Sequence, residues 1–284
     1  MMGKKNNRKS DKNSSGKSAH EAKKKYGQNF LEDPSLLEEI IDVTNVGKKT
    51  EVMEIGPGLG FLTGKLIDKS YHLTAFEIDD DLIPVLNKKF GNRENFTLIH
   101  EDFMEVDLGK YVEEHEGIKV VANIPYYITS PIINKLIGYR KNISEIYLMV
   151  QKEVAERIAS EPGSRNMSLL THAVQFYAKA EYLFTVPKEK FNPVPKVDSA
   201  FLKIVLLKNG KYERQIAEKE YFKYLKAAFS NKRKSIGNNL SALGYDKDTV
   251  GKALEKIGKA KLARTEEFSV QEFIDFIKIL KEND

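Results

Sequence analysis

From residue 50 to about 150, short apolar runs alternate with helical patterns, and this alternation constrains the fold more than any other feature of the chain. The runs are EVMEI (51–55), LTAFEI (73–78), FTLIH (96–100), IKVVA (118–122) and EIYLMV (145–150). Helical patterns stand between or after them: FLTGKLIDK, DDDLIPVLNKKF, SPIINKLI and QKEVAERIAS. Strands spaced by helices of this length predict an α/β fold, a parallel sheet with helices on both faces. The strands are almost continuously apolar, as expected when both faces are covered. MSLLTHAVQFYAK (167–179) reads as a further helix. EYLFTV and SAFLKIVLL read as late strands, separated by the Pro-rich PKEKFNPVPKVD. From about residue 210 only helical periodicity remains, in EYFKYLKAAF, SIGNNLSAL, DTVGKALEKI and SVQEFIDFIKIL. The expected organisation is a main domain over 26–209 and a small all-helical domain over 210–284.

The 284 residues suffice for a full core without staples. Absence of cysteine excludes disulfides, thiolate metal sites and a Cys nucleophile. The five histidines are scattered, no two at ligand spacing, so no metal is expected. No apolar run is long enough to span a bilayer and no signal-peptide core is present, which points to a cytoplasmic protein. Residues 1–25 hold nine Lys or Arg against two acids, a net +7; the whole chain is +5, so the remainder sums to −2. This polar stretch is expected to be a disordered basic tail. It is either a solubilising or expression remnant or an arm that meets phosphates.

The loop EIGPGLG (54–60) follows the first of these strands and opens a helix. Gly56, Gly58 and Gly60 permit a tight turn and close approach of a ligand to the main chain. The spacing is G-x-G-x-G, not the G-x-G-x-x-G of dinucleotide binders, and a ligand without a pyrophosphate needs no longer cradle. Glu77 ends the next strand, where a carboxylate can accept ribose hydroxyls. Asp79, Asp80 and Asp81 read as capping and first-turn acids. Asp102 ends the third strand and could accept from an adenine amine. Together they suit an adenosine-bearing cofactor of little negative charge, S-adenosylmethionine rather than NAD. The chain also lacks a hydride-handling pair.

NIPYY follows the fourth strand. Adenine N6 is a poor nucleophile because its lone pair is delocalised into the ring. The side-chain oxygen of Asn123 and the carbonyl of Ile124 can accept its two hydrogens and draw the nitrogen toward tetrahedral geometry. Pro125 fixes the turn, and the ring of Tyr126 can stack on the base. Positioning and hydrogen-bond acceptance carry such a reaction without a strong base.

With these residues in hand, the chain resembles the KsgA/Dim1-type ribosomal RNA adenine dimethyltransferases over roughly 260 residues, on four motifs in order: GQNFL (27–31), EIGPGLG, NIPYYITSPII and FNPVPKVDSAF (191–201). The resemblance implies a Rossmann-like methyltransferase sheet and S-adenosylmethionine as cofactor. It implies N6-dimethylation of two adjacent adenosines near the 3′ end of small-subunit rRNA, with a role in subunit biogenesis. It implies cofactor contacts from Gln28, Asn29 and Leu31, and the cofactor set also takes in Glu54, Ile78, Phe103 and Asn123. Phe191 is implied as the second wall of the base pocket opposite Tyr126; a core Phe is the alternative. Tyr127 stands where many relatives carry Asn and receives no catalytic role. Relatives that methylate large-subunit rRNA share NIPY, and FNPVPKVDSA and FSNKRKSIGNNL (229–240) look more like the small-subunit enzyme. A ribosome-assembly factor acting mainly by RNA binding is a further alternative.

The target base must be unstacked or flipped to reach such a pocket. Lys232, Arg233 and Lys234 in NKRKS are candidate phosphate contacts, or a solvated helix start. Lys188, Lys190 and Lys196 flank the Pro-rich loop and could line the substrate edge. The expected partner is small-subunit rRNA or an immature 30S particle, met by a monomer.

Overall fold

The structure, a computed structural model, describes residues 27–208 and 210–282. The expected basic tail lies outside these residues. The first half of the chain forms β1 (Phe30–Leu31), α1 (Pro34–Thr44), β2 (Glu51–Ile55), α2 (Phe61–Lys69), β3 (His72–Glu77), α3 (Ile83–Phe90), β4 (Phe96–His100), α4 (Gly109–Val112), β5 (Ile118–Asn123) and α5 (Thr129–Gly138). Then come β6 (Ile143–Gln151), α6 (Lys152–Ile158), α7 (Leu169–Gln175), β7 (Ala178–Val186), β8 (Phe191–Asn192) and β9 (Ser199–Leu206). Four helices end the chain: α8 (Glu218–Ala228), α9 (Ile236–Leu240), α10 (Lys247–Lys256) and α11 (Val270–Glu282).

Seven strands form one sheet in the order β4-β3-β2-β5-β6-β9-β7. The five from β4 to β6 are parallel. β9 runs antiparallel to both β6 and β7, so the sheet is mixed rather than wholly parallel. The cause is the connection: residues 187–198 between β7 and β9 carry no α-helix, and without a crossover helix a strand returns antiparallel. Strand order reverses between β2 and β5, which opens a crevice at their carboxyl ends.

Alternate side chains of the central strands enter two cores. Met53, Val120, Ala122, Ile146 and Leu148 belong to one, and Val52, Val121, Tyr147 and Met149 to the other. Both faces are therefore covered, which explains why these strands read as unbroken apolar runs. α1 begins where Asp33 accepts from the Leu36 N–H at 3.0 Å and Pro34 fills the first position. Its buried face, Leu36, Leu37, Ile40 and Ile41, joins the second core.

The C-terminal helices share the first core with the sheet: Val174 and Phe176 lie in one cluster with Tyr221, Leu225, Phe273 and Ile277. At this junction the rings of Phe176 and Tyr221 lie 4.4 Å apart, and the hydroxyl of Tyr221 is 2.8 Å from Nδ1 of buried His172. No helix among the described residues is long and apolar enough to cross a membrane.

Candidate active site

β2 delivers the glycine loop. Gly56, Gly58 and Gly60 have φ of 67°, 58° and 82°, in the left-handed region where a side chain is strained. Space adds to the demand at two of them. A Cβ on Gly60 would meet Phe90 of α3 at 2.6 Å, and one on Gly58 would meet the Phe30 ring at 3.0 Å. Gly60 thus lets α2 and α3 pack, and Gly58 lets the segment around β1 close over the loop.

Two acids flank this loop below the surface. Glu77 is 4% exposed; Oε1 accepts from the N–H groups of Ile78 and Asp79, both at 2.9 Å, and Oε2 from Gly58 N–H at 3.1 Å. A carboxylate offers about four acceptor positions, so one stays open for a ligand hydroxyl. Burial pushes this carboxyl up, and the three N–H groups oppose the shift. Glu54 is more extreme. It is 2% exposed, its Oε2 has no partner, and burial with the nearby Glu77 raises it to about 8. Asp102 is exposed, and its Oδ1 accepts from Met104 N–H at 2.8 Å in the turn after β4. Phe103 beside it is buried edge-on against Phe76, 5.4 Å away.

β5 delivers the NIPYY turn. The side-chain nitrogen of Asn123 donates to the carbonyl of Asn29 at 2.9 Å. A carbonyl only accepts, so this contact fixes the amide the right way round and leaves Oδ1 free to accept from something else. Pro125, with φ of −59°, leads into a single 3₁₀ turn over Tyr126–Ile128. Burial raises the Tyr126 phenol. Tyr127 points outward, 67% exposed.

Residues 27–31 bridge the ends of two strands. Nε2 of Gln28 donates to Asp79 after β3 at 2.8 Å, and the Asn29 carbonyl accepts from Asn123 at the end of β5. Asp79, expected as a capping acid, does hold the Asp81 N–H at 3.1 Å, but it is fully buried and also anchors Gln28. Leu31 is buried in the core below the crevice that its segment borders.

Phe191, expected as the second wall of the base pocket or as a core Phe, is buried. It pairs with Leu31 of the crevice lining in the short β1–β8 ladder, is 3% exposed, and lies with Leu36, Phe201 and Val186 in the second core. The ladder turns its ring inward. The basic candidates are dispersed. Lys190 is engaged in an ion pair with Asp33. Lys196 is exposed and Lys188 half-buried. Lys232, Arg233 and Lys234 are exposed in a turn before α9 rather than within a helix, and Nζ of Lys232 donates to the Arg165 carbonyl at 2.6 Å.

Two supporting side chains carry no sequence signal. Nζ of Lys135 donates to the carbonyls of Phe103, Met104 and Val106 at 2.7, 2.9 and 2.6 Å and so fixes the loop bearing Asp102 and Phe103. The hydroxyls of Tyr126 and Ser199 lie 2.6 Å apart. Sequence patterns locate strand ends, but these contacts join residues 29–32 and 73 positions apart.

Glu54, Gly56, Gly58, Glu77, Ile78, Asp102, Phe103 and Asn123–Tyr126 line one crevice, together with Gln28, Asn29 and Leu31. It encloses about 1020 Å³ of empty space, its open mouth included. Gly60 stands behind the wall against Phe90. The described lining contains four carboxylates, Glu54, Glu77, Glu101 and Asp102, and no Lys, Arg or His. Such a lining repels a pyrophosphate and favours a cation. The orphaned oxygen of Glu54 and the open left-handed glycine loop fit a sulfonium cofactor that also bears an ammonium group. Among the described residues no group of three His, Cys, Asp or Glu is arranged to hold a metal.

Comparison with known proteins agrees with this geometry. Residues 19–282 match the family model described as ribosomal RNA adenine dimethylase. The chain is 52% identical over 260 residues to ribosomal RNA small subunit methyltransferase A of Fusobacterium nucleatum, covering 91% of this chain and 97% of that protein. It is also similar to the crystal structure of a dimethyladenosine transferase from Plasmodium falciparum, with 25% identity and a TM-score of 0.74 over 89% of this chain and 98% of that one. The crystal structure of the 23S rRNA methyltransferase ErmE is similar too, at 26% identity and TM-score 0.74, over 89% of this chain and all of that one. A family model spanning nearly the whole chain, a relative identical at half its positions and a crevice built for an adenosyl sulfonium agree: the chain belongs to the ribosomal RNA adenine dimethylase family.

Proposed function

We propose that this enzyme dimethylates N6 of two adjacent adenosines near the 3′ end of small-subunit rRNA, using S-adenosylmethionine. The observation that carries the reading is the Asn123 amide, held by Asn29 at the lip of an acidic crevice with Oδ1 unspent. When bound, the cofactor supplies an electrophilic methyl group on a sulfonium. Glu54 and the glycine loop would hold its charged end, Glu77 a ribose hydroxyl, and Asp102 the adenine amine. Asn123 Oδ1 and the Ile124 carbonyl would accept the two hydrogens of the target N6 and bring its lone pair out of conjugation. Tyr126 would stack on the target ring. The lining offers no strong base, and none is needed: once the new N–C bond has formed, the amine is acidic enough to lose a proton to water.

Half-buried Lys188 and exposed Lys196, Lys232, Arg233 and Lys234 would meet phosphates of the RNA that carries the flipped base. The small subunit is favoured over the large by the 52% identity to a protein named for the small subunit, against 26% to one named for 23S rRNA. On this reading the enzyme would work in the cytoplasm on an immature 30S particle, bound as a monomer. The test is methylation of isolated small and large subunits with labelled cofactor, followed by mapping of the product. Asn123→Ala is expected to lose at least a hundredfold in methyl transfer, the scale of one positioned polar group, with cofactor affinity within a few-fold. Label on large subunits alone, or an active Asn123→Ala, would overturn the proposal.

A further inference from the structure

Ser199 opens β9 and is fully buried. It stands in register with Gln151 of β6 and Val186 of β7, so strands on both sides fix its place. Tyr126, which shares its hydroxyl bond, sits in a three-residue turn. The turn's own ties are of two kinds: the Ile128 N–H to the Pro125 carbonyl at 3.2 Å, and the Thr129 N–H and hydroxyl to the Tyr126 carbonyl, the hydroxyl at 3.1 Å. Both hold main chain; neither restrains the ring. A ring attached at Cβ and pinned at its hydroxyl cannot swing, and the pin belongs to the sheet, not to the turn. The residue before it closes the base of the Pro-rich loop: Asp198 Oδ1 accepts from Lys188 N–H at 3.1 Å.

We infer that Ser199 is a positioning residue for methyl transfer, its hydroxyl holding the Tyr126 ring at the angle at which its face meets the target base. This rests on the reading of Tyr126 as the wall of the base pocket. The phenol is committed to Ser199 and shielded by burial, so the crevice receives the ring's face and not a proton acceptor. The Tyr–Ser pair also gives the hydroxyl at the start of β9 a task that an apolar strand start would not need.

Ser199→Ala frees the ring and strands a half-buried hydroxyl. Misplacement on the ångström scale costs roughly ten- to a hundredfold in rate. The expected result is a fall of that size in kcat for rRNA methylation, with cofactor affinity within twofold of the wild type. That unchanged affinity certifies the fold, since the cofactor crevice depends on the same sheet. Tyr126→Phe breaks the same bond from the other side, so in the Ser199→Ala background it is expected to cost nothing further, or to recover some rate because the stranded hydroxyl is gone. Ser199→Ala with wild-type kcat overturns the inference, as do losses that multiply in the double variant. A wild type that methylates no rRNA adenine would instead overturn the function on which the inference stands. An active wild type with an unaffected Ser199→Ala sinks the Ser199 role alone.

Discussion

Replacing Glu54 with Gln should make the cofactor-free enzyme more stable while weakening its hold on the cofactor. Glu54 sits at the end of β2, 2% exposed, with one carboxylate oxygen lacking any partner. Burial and Glu77 raise it from an ordinary 4.5 to about 8. Below pH 4.5 it is neutral folded or unfolded and contributes no pH dependence. As pH rises from 4.5 toward 8, the unfolded chain gives up this proton and the folded chain keeps it. Folding is then penalised by about 1.4 kcal/mol per pH unit, which accumulates to about 3 kcal/mol at pH 7. Gln is neutral throughout and escapes the penalty. Its amide adds a buried donor, at a cost of about 1 kcal/mol, which leaves a net gain of about 2 kcal/mol at pH 7. Urea unfolding of both proteins at pH 5, 6, 7 and 8 measures this. Other groups titrate in the same window, but the difference between the two proteins isolates position 54. The difference should grow with pH in favour of the variant, and saturating cofactor should reverse the order, because only the wild type presents an acid to the ligand's cationic end. A difference independent of pH would refute the reasoning.

Glu77→Ala should raise the cofactor dissociation constant by a factor corresponding to about 1.5–3 kcal/mol, the value of a hydrogen bond to a charged group; an unchanged calorimetric titration would remove Glu77 from the site. Gly60→Ala should be worse than an ordinary Gly→Ala change, since strain at φ 82° is joined by a 2.6 Å approach to Phe90; a thermal midpoint within a degree of the wild type would contradict this. His172, driven down to about 4 by burial, is neutral in the fold. Its contribution is complete above pH 6.5 and is lost as pH falls from 6.5 toward 4, by up to about 3 kcal/mol. Acid unfolding of His172→Phe should show a shallower slope over that interval; an identical slope would show that the junction of α7 with the C-terminal helices does not depend on this proton.

Much of the sheet was legible because its signal is local. EVMEI and FTLIH coincide with β2 and β4, and IKVVA extends by one residue to Asn123 in β5. What failed was information that the chain carries only at long range. The pattern over 167–179 predicts one helix, yet α7 stops at Gln175 because residues from Ala178 onward pair with β9. β1 and β8 have two residues each, too few for any period to register, and they exist only through each other. That small ladder buries Phe191 beside Leu31 of the crevice lining. NKRKS looked like a helix start, but Asn231 Oδ1 accepts from Arg233 N–H at 3.1 Å, and buried Asn239 donates to the carbonyls of Ala228 and Asn231 at 2.6 and 3.0 Å. These side-chain bonds satisfy main-chain groups that a helix would have used, so the turn wins.

The crevice was readable for a topological reason. The glycine loop, Glu77 and Asn123 end β2, β3 and β5, and these strands are neighbours in register, Ile55 beside both Phe76 and Ala122. Three motifs far apart in sequence are thereby forced to one edge, and only their chemistry had to be read. The charge of that edge could not be weighed before the fold was known. Glu54 read as part of a loop motif; in the structure it is a stranded acid facing three other carboxylates in a lining without a cation. The same lining that attracts a sulfonium repels the phosphates of the RNA substrate. Under the proposed function a polyanion would not follow its target base into the crevice, and only the neutral adenine would reach Asn123. Separation of a cation-seeking floor from the proposed RNA-binding lysines, none of which lines the crevice, would give the enzyme two ligands of opposite charge without competition between them. Replacing Glu101 and Asp102 at the rim by Lys should test this directly: RNA affinity should rise while methyl transfer falls, because the backbone would then be drawn where only the base belongs.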